Sequence, residues 1–359
     1  MPTLPALTSL LQRSRARLST TATTLPQIST VLSITEHRSA GGHDYGLIRA
    51  HATGHYTVIL AATGATLRDW QQLCDFTRID FGADAWDVVA VTAVADTFPR
   101  TDNAHRQWMD TDHHYRLDVA DLATDTYLAV TFVAATSAMK STPDEMAVEV
   151  GRRLHTLIGS LHAAGLPTTP LTAAQVAAVG VRAYRGGLPD DPAPAFADIA
   201  PDSTPHRVRD VFCHNDLVSA TWVIAPHVLE PPHAMGSVLG QLLERDPTTP
   251  RTRLAITWRA TRIAETIAPD DPIRATFQPT LQRFGATLTI TEPRPRTPSS
   301  IPRAPSVDAL RTRLPLFARL GVRNGYDRHA ELFAAGIGLG VLLPEHGDIT
   351  DEALRHRHR

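Results

Sequence analysis

The most regular pattern in the chain lies over Arg253–Arg259, where Leu254, Ile256 and Trp258 alternate with Arg253, Ala255, Thr257 and Arg259. A period of two predicts a strand. Trp86–Ala95 and Thr126–Ala135 are runs of β-branched and small apolar residues, long enough for central strands. Tyr45–His51 and His55–Ala62 read as a strand pair turning at Gly54, followed by a helix from Leu67 to about Ile79. The strongest helical signal opens at Thr142-Pro143-Asp144-Glu145, a capping box with proline at the first helical position. Met146, Val150, Leu154, Leu157, Ile158 and Leu161 then share one face, and Gly165 stops the helix. A second helix starts at Thr172, with Gln175 three residues on, and reaches Tyr184. Further along, Arg207–Cys213 and Val218–Ile224 predict a hairpin about Asn215-Asp216. Ala234–Glu244 predicts a helix, Ala286–Ile290 a strand, and Val307–Arg313 another helix.

Two proline-rich stretches, 188–205 and 292–305, punctuate this order. Proline lacks the amide donor and fixes φ, so neither stretch fits a helix interior or a central strand. The expected organisation is an N-terminal extension (1–42), a first α/β unit (43–187) and a linker (188–205). A second unit (206–346) contains the 292–305 loop, and a charged tail (347–359) follows. Both halves read roughly β-β-α-β-β-α. The expected fold class is therefore α/β (α+β): two consecutive β-β-α-β-β-α units with mixed sheets covered by helices, the recurrence pointing to duplication.

Composition narrows the picture. The formal net charge of -2 argues against a global attraction to nucleic acid or anionic lipid, and Lys140 is the sole lysine. The two cysteines, Cys74 and Cys213, form no C-x-x-C pair and are expected as reduced, buried thiols. No cationic start followed by an apolar block marks a signal peptide. The longest apolar stretches fall well short of the roughly 20 residues of a membrane helix, so the expected location is cytoplasmic or peripheral at the inner face of the membrane.

Each apparent catalytic motif lacks a part its chemistry requires. Met139-Lys140-Ser141-Thr142 sits where a phosphate loop would, but Ala134 and Met139 occupy the positions that need glycine for close backbone approach. Gly336-Ile337-Gly338-Leu339-Gly340 lacks both the dinucleotide spacing and a following helix, and reads as a site of close backbone packing. Asp110-Thr111-Asp112-His113-His114, with Asp118 and Asp121, is rich in ligand atoms, but adjacent histidines on a regular element cannot face one ion. No catalytic, cofactor-binding or metal-ligating residue is assigned, and no cofactor is expected. An enzyme assembled from scattered groups such as His113, Asp118 and His214 remains an alternative, as does a self-assembling shell or phage-like structural protein.

Trp222 and Trp258 fall on apolar faces of two strands expected in one sheet, as core residues or as a partner-facing pair. Between Glu292 and Arg328 stand eight arginines against Glu292, Asp308 and Asp327. The candidate partner surface is therefore Trp222, Trp258, Arg294, Arg296, Arg303, Arg323 and Tyr326.

Several stretches together resemble one family. They are Asp144-Glu145-Met146-Ala147 leading into Gly151-Arg152-Arg153-Leu154, and Leu171–Val176 reaching Arg182-Ala183-Tyr184. His214-Asn215-Asp216 with Ser219-Ala220-Thr221-Trp222, the strand Arg253–Arg259, and the ending Arg323-Asn324-Gly325-Tyr326 through Ala334–Gly340 to Leu343-Pro344-Glu345 complete the set. The order, over about His43 to His346, is similar to the membrane-anchored proteins encoded beside conjugation-type ATPases in high-GC Gram-positive bacteria. These are conjugal-transfer or type VII secretion-like components, more distantly similar to the ATPase-free N-terminal portion of type IV secretion ATPases. The resemblance implies a non-enzymatic structural or coupling subunit. Its expected partners are an ATPase and small membrane proteins, with a homo-oligomer as a further option and no sequence-specific nucleic acid binding.

Overall fold

The structure is a computed structural model describing residues 32–51, 53–62, 88–110, 117–133, 143–186, 207–208, 211–224, 232–259, 283–294, 321–325 and 328–343, with 305, 312 and 314 as single positions. The strands are β1 Leu32–Arg38, β2 Asp44–Ala50, β3 His55–Ala62, β4 Val88–Pro99, β5 Leu122–Val133 and β6 Thr168–Pro170. After them come β7 Arg207–Val208, β8 Val211–His214, β9 Leu217–Ile224, β10 Thr252–Arg259, β11 Arg283–Pro293 and β12 Val322–Asn324. The helices are α1 Asp102–Met109, α2 Pro143–Ala163, α3 Ala173–Arg185, α4 Pro232–Leu243 and α5 His329–Gly336.

All twelve strands join one sheet, in the order β1-β2-β3-β5-β4-β10-β11-β9-β8-β7, with β6 on β3 and β12 on β9. Every pairing among the described residues is antiparallel. This overturns the expected fold class of two α/β units with mixed sheets. The physical reason lies in how the sheet is covered. One face packs Leu60, Leu128, Val91, Ala93, Leu254, Ile256 and Leu288 against Met146, Val150 and Leu154 of α2 and Val238 and Leu239 of α4. The other packs Ile59, Val94, Ala129 and Ala255 against Val176 and Val179 of α3 and Phe333 and Ala334 of α5. Strands covered on both faces read as continuous apolar runs, a signature usual for parallel sheets and produced here by an antiparallel one.

The expected β-β-α-β-β-α units do not form, but the strand order of the sheet repeats about one seam. From its outer end inward, the first half reads β1-β2-β3-β5-β4, and β6 shares with β2 one edge of β3. The second half reads β7-β8-β9-β11-β10, and β12 shares with β8 one edge of β9. Hydrogen bonds repeat at corresponding places. Leu171 N–H donates to Ile59 O after β6 (2.9 Å), and Gly325 N–H donates to Thr221 O after β12 (3.0 Å). The hydroxyl pair Thr57–Thr131 (3.0 Å) corresponds to Ser219–Thr291 (2.7 Å). α3 is followed by one left-handed glycine, Gly186 at φ 77°, and α5 by two, Gly338 at φ 78° and Gly340 at φ 80°. The halves meet at one seam, where β4 and β10 pair antiparallel with Val94 opposite Ala255. The fold is a two-fold pseudosymmetric pair fused into one sheet.

Several local expectations need adjustment. Residues 32–38, expected in the N-terminal extension, form the strand at one end of the sheet. Arg207–Cys213 is two strands, β7 and β8, paired with each other. β11 runs to Pro293, into the stretch read as a loop. The helices expected at 67–79 and 307–313 lie outside the described residues, apart from position 312 in the latter. α3 starts after Thr172 as expected, with a capping box in which Thr172 Oγ1 accepts from Gln175 N–H and Gln175 Oε1 accepts from Thr172 N–H, while Thr142, expected to cap α2, lies outside the described residues. No helix among the described residues is long and apolar enough to cross a membrane.

Candidate functional site

The polar chemistry of the described chain concentrates on the α3/α5 face, at and beside the seam. Side chains on that face of β4 and β10 alternate with the apolar ones facing α2 and α4, so residues 92, 94 and 96 meet 257, 255 and 253, and Arg251 stands just before β10. Thr92 and Thr257 pair their hydroxyls at 2.9 Å on one side of Val94–Ala255. On the other side Asp96 faces Arg253, whose Nε donates to Oδ1 at 3.1 Å. Arg251 adds Nη1 at 3.0 Å from Oδ1 and Nη2 at 3.2 Å from Oδ2. Arg182 descends from α3, its Nη1 2.7 Å from Asp125 and its Nε 3.6 Å from Asp96 Oδ2. Asp96 is 0%, Arg251 2%, Arg253 4% and Arg182 8% exposed.

Ions this deeply buried persist only when they are paired. Burial alone would raise the Asp96 carboxyl, but Arg251, Arg253 and Arg182 together hold it below the ordinary carboxylate value. Burial lowers Arg251 to about 10, with Asp96 opposing the shift. The rings of Phe98 and Phe333 complete the enclosure, with the Arg182 Cζ 4.2 Å from the Phe98 centroid and the Arg253 Cζ 5.4 Å from that of Phe333. Such stacking suits the weakly hydrated guanidinium plane and would not suit lysine.

A second polar line begins at His214, which is fully buried. Its Nδ1 lies 2.7 Å from Tyr184 O at the end of α3. A carbonyl only accepts, so the network assigns the proton to Nδ1 and leaves Nε2 to accept from Ser219 Oγ at 2.8 Å. Ser219 in turn accepts from Thr291 at 2.7 Å. Burial, with Arg253 and Arg251 nearby, lowers the imidazole to about 3 against the opposing pull of the Tyr184 carbonyl, so it stays neutral. Phe212, Phe333 and Tyr184 surround the ring at centroid distances of 5.0, 4.7 and 5.7 Å. The His–Ser contact has the geometry of a base beside a hydroxyl, but His214 and Ser219 are both 0% exposed, and their hydrogen bonds run to one another and to the fold.

These contacts tie the halves together in both directions. α3 of the first half ends on His214 of the second. α5 of the second ends on the first, where Tyr127 Oη donates to Ile337 O at 2.7 Å. The glycine run after α5 permits that approach. A Cβ on Gly338 would lie 2.8 Å from Val94 Cγ2, and one on Gly340 would overlap the Thr57 hydroxyl.

The residues proposed from sequence are distributed differently. Trp222 (3% exposed) and Trp258 (7%) belong to the core on the α2/α4 face, which places both indoles inside the protein. Arg294 is partly buried, with its backbone N–H on Asp216 O at 2.7 Å, and Arg323 is exposed. Arg296, Arg303 and Tyr326 lie outside the described residues. Of the scattered set, Asp118 is exposed at a short 3-10 turn, His214 is in the interior, and His113 is outside the described residues. Among the described residues no three histidine, cysteine, aspartate or glutamate side chains gather as a metal site. Cys213 is buried and free, its thiol pushed up by burial. Sequence reasoning passed over Asp96, Arg182 and Arg251 and placed Arg253 on a polar strand face. The available signal was a lone aspartate within the apolar run of β4. Comparison with protein-family models and with curated proteins gives no match.

Proposed function

We propose that the chain is a non-enzymatic structural or coupling subunit of a conjugation- or secretion-like membrane transfer apparatus, holding an ATPase or membrane partner in place. The supporting observation is the use of its strongest polar groups. Asp96 and its arginines, His214, Ser219 and Thr291 point inward and fasten two halves into one sheet, the construction of a rigid platform. β1 offers the partner a docking edge. Among the described residues it has a strand neighbour on one side only, and Thr35, Glu36 and Arg38 are exposed along it. A partner strand added there would gain main-chain hydrogen bonds in register. Exposed Arg323 supplies positive charge for an acidic partner surface.

Mixing the purified chain with the ATPase encoded beside it tests the reading. Binding that weakens with salt and is reduced by Arg323→Glu, and separately by Arg38→Pro, which removes an amide facing away from β2, is the expected result. No binding at any salt concentration would remove the proposal.

A further inference from the structure

We infer that the β4–β10 seam is a protomer–protomer interface retained inside one polypeptide, and that its Asp96–arginine end makes each half accept the other half and reject a copy of itself. The argument begins with the axis at Val94–Ala255. Under the correspondence of the halves, Asp96 is equivalent to Thr257 and Thr92 to Arg253. Two such pairs therefore flank the axis, Thr92–Thr257 on one side and Asp96–Arg253 on the other. A symmetric dimer of identical halves would carry the same pair twice. Here one end is neutral and the other charged, so the halves have diverged into complementary partners.

The same register shows what self-pairing would cost. Two first halves joined through β4 would set Asp96 opposite Thr92, taking from each carboxylate both Arg251 and Arg253. Two second halves joined through β10 would set Arg253 opposite Thr257, leaving Arg251 and Arg253 buried at each end of the seam with no carboxylate from the seam strands. Removing one partner of a buried ion pair is strongly unfavourable, and discrimination built from such penalties is a recurrent source of specificity. The exchanged helix ends reinforce the choice. Tyr184 O accepts from the ring of His214 and from Asn215 Nδ2, and Ile337 O accepts from the hydroxyl of Tyr127, so each half finishes on groups that the other supplies. The interaction surface is thus the seam itself, and the partner it fits is the opposite half of this chain, in the same molecule or in a second copy. This inference is independent of the proposed transfer-apparatus role.

The test uses the full chain with a protease site inserted between residues 188 and 205. After cleavage, native mass spectrometry is expected to find the two fragments as a one-to-one complex. Cleaved protein and an isotope-labelled cleaved copy, unfolded together and refolded, should give all four labelled and unlabelled first-half/second-half combinations and at least tenfold fewer self-pairs. Asp96→Asn should release the fragments or raise self-pairs at least tenfold, whereas Thr92→Val with Thr257→Val, at the neutral end, should do neither. If Asp96→Asn does not fold, Arg253→Gln, which leaves Arg251 and Arg182 on the carboxylate, takes its place. Separation of the cleaved wild type into folded single fragments, self-pairs as abundant as mixed pairs, or equal effects at the two ends would each overturn the inference.

Discussion

Replacing Asp96 with asparagine keeps the side-chain shape and removes the one fully buried negative charge of the seam. At an effective dielectric near 20, each close ion pair is worth about 4 kcal/mol in gross attraction, and Asp96 has three cationic neighbours. Sparing the carboxylate its own desolvation returns much of this. Arg182 also keeps Asp125 at 2.7 Å. The net loss expected is therefore that of breaking one buried pair, about 3–5 kcal/mol, a large share of the 5–15 kcal/mol typical of a folded domain. Urea denaturation at pH 7, read by circular dichroism and tryptophan fluorescence, measures it. The pH dependence supplies a second check. Because the folded carboxyl lies below its unfolded value near 3.9, its contribution is complete above about pH 4 and is lost as pH falls through the lower folded value. The gap between wild type and variant should hold from pH 7 to about pH 5 and narrow below pH 4. A loss under about 1 kcal/mol, or a gap unchanged at pH 2.5, would refute this assignment of roles.

Two further predictions concern the exchanged helix ends. His214 is lowered to about 3 in the fold against about 6.5 unfolded, so its stabilising share is complete above about pH 6.5 and declines toward pH 3. The slope approaches about 1.4 kcal/mol per pH unit. His214→Gln, which can donate to Tyr184 O and accept from Ser219 without titrating, should flatten that slope between pH 6 and 4, and an unchanged slope would show that His214 already titrates in the fold. Gly340→Ala should cost more than about 2 kcal/mol in the same urea assay, since a positive φ combines with overlap at Thr57. Gly54→Ala, with positive φ but open space, should cost only about 1 kcal/mol. Equal losses at the two glycines would contradict the packing described for the α5 terminus.

Much of the fold is visible in the amino-acid pattern, and its arrangement is not. The apolar stripe of α2 and the capping box of α3 are local, so the residues that form them announce them. β3, β9 and β10 are also legible, because six to eight consecutive residues carry the signal. Strand direction is different. Val88–Pro99 is rich in valine and alanine whether its neighbours run parallel or antiparallel, and only the covering helices explain the absence of a polar face. β6 and β12 are too short, at three residues each, to show a period. Arg253 looked outward because arginine usually does. Nothing within its own strand reveals Asp96 across the seam, since the two are more than 150 positions apart. The element order read from the sequence, two β-β-α-β-β-α units, was not the one formed, and the repeat in strand order shows only once the pairing of both halves in one sheet is known.

Native-state amide exchange along the seam tests the central claim most directly. If β4 and β10 form the middle of one sheet locked by Asp96, their amides should exchange last, at a common free energy matching global unfolding by urea. Amides of β3 and β9 in the two halves should then follow the same cooperative event. Exchange of β4 and β10 well before β3 and β9, with the halves opening at different free energies, would mean two independent units in contact and would contradict the account.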